Sequence, residues 1–142
     1  MPLTSDVDIA DLLRSSARIA MVGASGRPDR PSFGVLAYLL AHGYDVMPIN
    51  PGLSGQRIQA QPVIDSLSNI TDPVDLVDIF RSSEAAGDAV DAAIAHGAKA
   101  VWMQIGVINH AAAERAEAAG LKVVMDRCPK VEMARLGITG PA

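Results

Sequence analysis

Cysteine is all but missing from this sequence. Cys128 is the only one among 142 residues, so no intramolecular disulfide can form and nothing points to an oxidising compartment. One thiol, beside three histidines without metal-ligand spacing, cannot build a structural zinc site. Aromatic residues are scarce at 4%. Basic residues are outnumbered, and the formal net charge of -4 argues against a general nucleic-acid surface. No apolar run reaches the length that spans a bilayer, and the N-terminus lacks the basic-then-apolar pattern of a secretory signal. The expectation is a soluble, cytoplasmic protein that binds neither nucleic acid nor membrane. What remains is ordinary globular material, 49% apolar and 20% charged, enough for one domain with a real core. Its wealth of Ala, Val and Ile suits an α/β domain with a buried parallel sheet.

The stretch Ile19 to Pro31 organises the rest. Ile19 to Val22 is a short apolar run, Gly23-Ala24-Ser25-Gly26 breaks it, and Ser32 to Leu40 follows helical spacing. Gly23 and Gly26 permit positive φ and a close approach of backbone to a ligand. Unpaired N–H groups and the helix dipole make such a turn a ready anion site, and Arg27 and Arg30 add full charges there. A plain tight turn would need only the glycines. The arginines and the helix start favour a phosphate-bearing nucleotide.

Around this unit the chain reads as alternating helices and strands. Residues 1–17 are expected to hold a short helix over Thr4–Ser16, capped by Thr4, Ser5 or Asp6, with Val7, Ile9, Leu12 and Leu13 on one face. It should pack on the sheet edge or beside the first crossover helix. Three junctions share one grammar: Gly43, Gly97 and Gly120 each close a helix, and a strand follows within about two residues. The main strands so delimited are Ile19–Val22, Val46–Asn50, Val74–Phe80, Ala100–Gln104 and Val123–Asp126. Asn50 to Pro62 is a polar loop, Val63 and Ile64 read as a small extra strand, and Ser66 to Ile70 as one helical turn. Ser82 or Ser83 and then Asn109 cap the next helices, Cys128-Pro129 opens the last one through Arg135, and residues 137–142 are a frayed tail. The sum is a single α/β domain over residues 1–142, a doubly wound, five-stranded parallel Rossmann-like sheet. Such sheets bind ligands at the carboxyl ends of the strands, where strand order reverses. The expected walls of that crevice are Gly23 to Arg30, Asn50-Pro51, Phe80-Arg81 and Gln104 to Asn109.

The nucleotide can be narrowed. A dinucleotide site expects G-x-G-x-x-G at the first turn and a carboxylate at the end of the second strand. Here Ser25 stands where the second glycine would be, the second strand ends in Pro48-Ile49-Asn50-Pro51, and Asp45 lies at the opposite end. The carboxylate that grips NAD is therefore missing, while NADP stays open because arginines are available. The G-x-x-x-x-G-K-[ST] phosphate loop is absent as well.

Six blocks in order carry a family resemblance. They are Val22-Gly23-Ala24-Ser25, Arg30-Pro31-Ser32, Pro48-Ile49-Asn50-Pro51, Val74 to Arg81, Ala98 to Gly106 and Val124 to Cys128. Together, over about Arg18 to Leu136, they resemble the small stand-alone CoA-binding proteins, similar in turn to the CoA-binding domain of the succinyl-CoA synthetase α subunit and of ADP-forming acyl-CoA synthetases. The resemblance implies coenzyme A or an acyl-CoA as ligand. It sets the phosphates against Gly23, Ala24 and Ser25 and the basic residues that follow, Arg27 and chiefly Arg30. It sets adenosine near Asn50 and Pro51 and near Ile79, Phe80 and Arg81. The pantetheine arm then runs toward Gln104, Ile105 and Gly106. Arginines suit a cofactor that carries a pyrophosphate and a ribose phosphate, where a carboxylate would repel.

Several residues have bland readings too. Arg81 is either a phosphate ligand or a solvated neighbour of a helix cap, and Gln104 either a ligand or a tie between loops. His42 and His96 precede helix-closing glycines and complement the helix dipole, and His110 follows a cap asparagine. Asp126-Arg127 is read as ordering its loop and Cys128 as a packed thiol, although a thiol at a helix start can be activated. Trp102 and the strand methionines are read as core. No Ser/His/Asp or Cys/His constellation emerges, and no catalytic or metal-binding residue is assigned. In the resembled synthetases, chemistry needs a phosphorylatable histidine on a second domain and a nucleotide-binding partner. The expected function is thus CoA binding by a non-catalytic module with a sensor, carrier or regulatory role. The rivals are an NADP-dependent oxidoreductase domain and a redox or protein-interaction module acting through Cys128; a protein partner or a homo-oligomer fits any of these.

Overall fold

Five short apolar runs pair side by side, all parallel, in the computed structural model, which describes Met1–Ala142. In chain order the strands are β1 (Arg18–Val22), β2 (Asp45–Ile49), a two-stranded hairpin of β3 (Arg57–Ile58) and β4 (Gln61–Pro62), then β5 (Leu76–Ile79), β6 (Ala100–Met103) and β7 (Lys122–Val124). The main sheet runs β2-β1-β5-β6-β7. From β1 the chain steps outward to β2, then returns to β5 on the other side of β1. The helices are α1 (Asp6–Ser15), α2 (Pro31–Ala41), α3 (Ser83–His96), α4 (His110–Ala118) and α5 (Pro129–Leu136). None is long and apolar enough to cross a membrane.

Period-two alternation sorts the strand side chains between two cores. Ile19, Met21, Val46, Leu76 and Trp102 point toward α1, α2 and α5. Ala20, Ile49, Val77, Ile79 and Met103 point toward α3 and α4. Helices on both faces explain why β5 and β6 are buried along their whole length, and why β6 is a continuous apolar run. Each large aliphatic side chain so buried contributes about 1.5–3 kcal/mol relative to an exposed one.

The main expected helices and strands are present with shifted ends, but the tail expected to fray is tied down: Ile138 is buried and the Ala142 N–H donates to the Arg14 carbonyl at 2.8 Å. The three helix-closing glycines adopt the left-handed conformation. Helix α1 is capped by Ser5, whose Oγ accepts the Asp8 N–H at 3.2 Å, but Val7 is exposed and does not join the packed face. Its partner is chiefly α5, where Arg135 pairs with Asp6 at 2.9 Å, while Tyr44 donates to the Leu13 carbonyl at 2.6 Å. The extra strand expected at Val63-Ile64 is reduced to one bridge between Ile64 and Ile49. The pairing falls a step earlier, in β3–β4, because Gln59 and Ala60 both take positive φ (49° and 67°) and close a two-residue hairpin. Gln59 Nε2 donates to the Phe33 carbonyl at 2.8 Å and pins that hairpin to α2. The third, fourth and fifth main strands stop short of their expected carboxyl ends because the chain turns away there to form loops.

Gly23 ends β1 with φ +83°, and a Cβ on it would collide with the Phe80 carbonyl oxygen just past β5. The two strand exits touch at this point and then diverge. Glycine is required twice over, for conformation and for space. One oddity lies deeper. Asp78, opposite Met21 on β1 and Trp102 on β6, is fully buried, and neither carboxylate oxygen has a hydrogen-bond partner. Burial pushes its carboxyl well above the usual Asp range, which favours the neutral acid.

Two outcomes follow. Gly23→Ala should lose at least about 2 kcal/mol in denaturant titration, through strain and the clash; a loss within experimental error would show that the strand exits can separate freely. Asp78 has a folded-state pKa above its unfolded value. Its contribution is therefore fully favourable below the ordinary Asp pKa of about 3.9 and is lost as pH rises toward the raised value, by up to about 1.4 kcal/mol per pH unit. Asp78→Asn removes that dependence, so its stability relative to wild type should climb between acid and neutral pH; parallel profiles would refute a neutral Asp78.

Candidate functional site

The parting of the β1 and β5 exits opens a cleft of about 1180 Å³ over the carboxyl edge of the sheet. Drug-sized ligands occupy clefts of roughly 300–1,000 Å³, so this one has room for a long cofactor. It spans both faces of the sheet. On one side lie Ser32 and Val35 of α2, Phe80, Gln104, Cys128 and Val131; on the other lie Asp65, Leu67, Ala85, Asp88 and Ala89.

The first loop is built differently from the expected amide cradle. The Gly23 and Ala24 N–H groups both donate to the Ile49 carbonyl, at 3.1 and 3.2 Å. The Ser25 N–H donates to Ser32 Oγ at 3.1 Å, and Ser25 Oγ in turn accepts the Arg27 N–H at 3.1 Å. These amides are spent on the fold. The two serine hydroxyls act there as acceptors, which leaves their O–H groups available to donate; Ser25 and Ser32 both line the cleft. Gly26 does not take positive φ, so the turn needs only Gly23 for that purpose. Arg27 lies outside the cleft, 70% exposed and paired with Asp29 at 3.4 Å.

Arg30 and Arg81 are placed otherwise. Arg30 is the N-cap of α2, and Arg81 follows the β5 exit. Both line the cleft, both are exposed, and neither has an acidic partner. Gly23, Ala24, Ser25, Asn50, Pro51 and Phe80 line the same cavity. Asn50 works as a clamp: its Nδ2 donates to the Ala24 carbonyl at 2.8 Å and its Oδ1 accepts the Gly52 N–H at 2.9 Å. Ile79 does not line the cleft, because alternation turns it wholly into the α3/α4 core.

After β6, Gln104 and Ile105 line the cleft, and Ile105 is 63% exposed. Gln104 is buried, and its Oε1 has no partner. Gly106 stays outside the lining: its N–H donates to Asp126 Oδ1 at 2.7 Å and its carbonyl accepts from Ser83 at 3.2 Å. Asp126 thus orders the loop, at φ +60°. Arg127 Nη1 donates to the buried Glu132 at 2.7 Å, and Arg135 holds the same carboxylate at 2.9 Å. The hydrogen bond from Arg135, reinforced by Arg127, keeps Glu132 below the usual carboxylate range despite its burial. His42 and His96 are tied to the carbonyls of Tyr38 and Ile70, away from the cleft.

Sequence reasoning missed the far wall. Ala85, Asp88, Ala89 and Ala92 share one face of α3 and line the cleft. Their spacing of three, one and three is a small-residue helical stripe, a signal that was present in the sequence. Asp65 and Ser66 carried no comparable signal, since only the path of the loop after β4 brings them in.

Residues 17–134 match a family model described as a CoA binding domain. The YneT protein of Bacillus subtilis (strain 168) is 35% identical over 130 residues, covering 92% of this chain and 95% of its own length. A hypothetical protein from Pyrococcus horikoshii OT3 is 38% identical with a TM-score of 0.90, over 96% of each chain. A Thermus thermophilus structure is 34% identical with a TM-score of 0.88, over 94% of this chain and 99% of that one. The family model and these relatives agree, and the chain belongs to the family of CoA binding domains.

Proposed function

We propose that the cleft binds coenzyme A or an acyl-CoA, and that the domain acts as a non-catalytic sensor, carrier or regulatory module. The observation that carries this reading is the pair of unpartnered arginines, Arg30 and Arg81, on a cleft in a chain of net charge -4. Arg18, Arg27, Arg115, Arg127 and Arg135 pair with carboxylates, and of the four arginines that do not, only Arg30 and Arg81 line the cleft. Two left free at the mouth of one cavity match the phosphates of the cofactor, and the Ser25 and Ser32 hydroxyls add donors.

The other wall is acidic and therefore takes the uncharged part of the ligand. Asp65 and Asp88 can accept from the adenine amino group or from a ribose hydroxyl, while the alanine face of α3 leaves room for the base. Gln104 and the apolar surface of Phe80, Val35 and Val131 suit the pantetheine arm.

Titration calorimetry tests the reading. CoA should bind and NADPH should not. Arg30→Ala and Arg81→Ala should each weaken CoA binding by about tenfold, as expected for a charge-assisted hydrogen bond, with the wild-type affinity falling as salt is raised. NADPH binding without CoA binding, or arginine variants that bind CoA like wild type, would overturn it.

A further inference from the structure

Cys128 is the cleft residue whose chemistry this reading leaves unused. It is the N-cap of α5, its side chain makes no cap hydrogen bond, and it is only 7% exposed. Gln104, also 7% exposed, lines the same cavity with an amide oxygen that has no donor. An orphaned buried acceptor is unfavourable until a ligand N–H reaches it. The pantetheine arm offers amide N–H groups and ends in sulfur. A cavity that presents an unsatisfied amide oxygen and a thiol therefore offers a counterpart to each.

We propose that Cys128 captures the sulfur of the cofactor as a mixed disulfide, an inference that rests on the CoA reading above. The co-reactant is the disulfide form of the cofactor. Cys128 gives its proton to solvent, and Sγ attacks one sulfur of the CoA disulfide. The S–S bond of the cofactor breaks, a new bond joins Sγ to one CoA, and the other CoA leaves as thiolate and takes up a proton. Cys128 is oxidised to the disulfide level and one equivalent of CoA is reduced, so electrons balance. Low exposure shields the thiol from disulfides that do not enter the cleft, while a molecule seated there is delivered to it. The domain then reports the thiol–disulfide state of its own ligand.

Intact-mass measurement under non-reducing conditions tests this on the full chain, with CoA disulfide and oxidised glutathione at equal concentration. The expected result is one CoA adduct per chain, reversed by dithiothreitol and formed at least about tenfold faster than the glutathione adduct. Gln104→Leu should lower that rate ratio, with the glutathione rate in the same variant as the internal control; an unchanged ratio would remove Gln104 from the site. Absence of the adduct, or equal rates with the two disulfides, overturns the capture of the cofactor by Cys128. Thermal shifts with reduced CoA separate the two levels. A raised wild-type Tm without an adduct sinks the mixed disulfide and leaves CoA binding standing; no shift and no adduct sink both.

Discussion

The contact between Gly23 and the Phe80 carbonyl is the constraint on which the site depends. It brings the exits of β1 and β5 together at the point where the chain has reversed its direction across the sheet. From there one loop leads to Arg30 and α2, and the other to Arg81 and α3. The arginines share a cavity because their loops leave from one place. The Gly23 and Ala24 amides, spent on Ile49, and the Asn50 clamp on Ala24 hold the first loop in that position. The backbone thus holds the loop, and the arginine side chains are left free of it.

Charge is distributed with the same division of labour. Near α5, Arg127 and Arg135 converge on buried Glu132, an arrangement that neutralises the acid and fixes the segment carrying Cys128. At the cleft the two arginines are left without partners. The first arrangement is complete within the fold, and the second leaves two positive charges facing the cleft without a carboxylate. Asp78 is a third case: an acid in the sheet with no counter-ion, whose burial favours the neutral form.

Much of this was legible in the sequence, for identifiable reasons. The alternation of short apolar runs with glycine-closed helices gave the sheet and its helices, because both signals are local. Gly23, Arg30, Asn50 and Arg81 were legible because strand ends lie near them and ligands bind at strand ends. The rest depended on where chains cross. Arg27 resembles Arg30 in sequence, but the local turn pairs it with Asp29. Ile79 and Gly106 sit next to cleft residues in the chain, yet one is turned into the core and the other is held by Asp126. Asp65 and the α3 face enter the cavity only through tertiary placement. The loop amides read as free because nothing local reveals that Ile49 and Ser32 accept them. Cys128 read as packed, and it is packed, but against the cleft.

The place where the phosphates of bound CoA lie decides whether this cleft is the binding site. A crystal structure of the protein grown with saturating CoA measures this directly. It should show the phosphates within hydrogen-bond reach of the Arg30 and Arg81 guanidinium groups, with the pantetheine arm passing Gln104. Coenzyme A seated elsewhere on the surface, or phosphates held without either arginine, would contradict it.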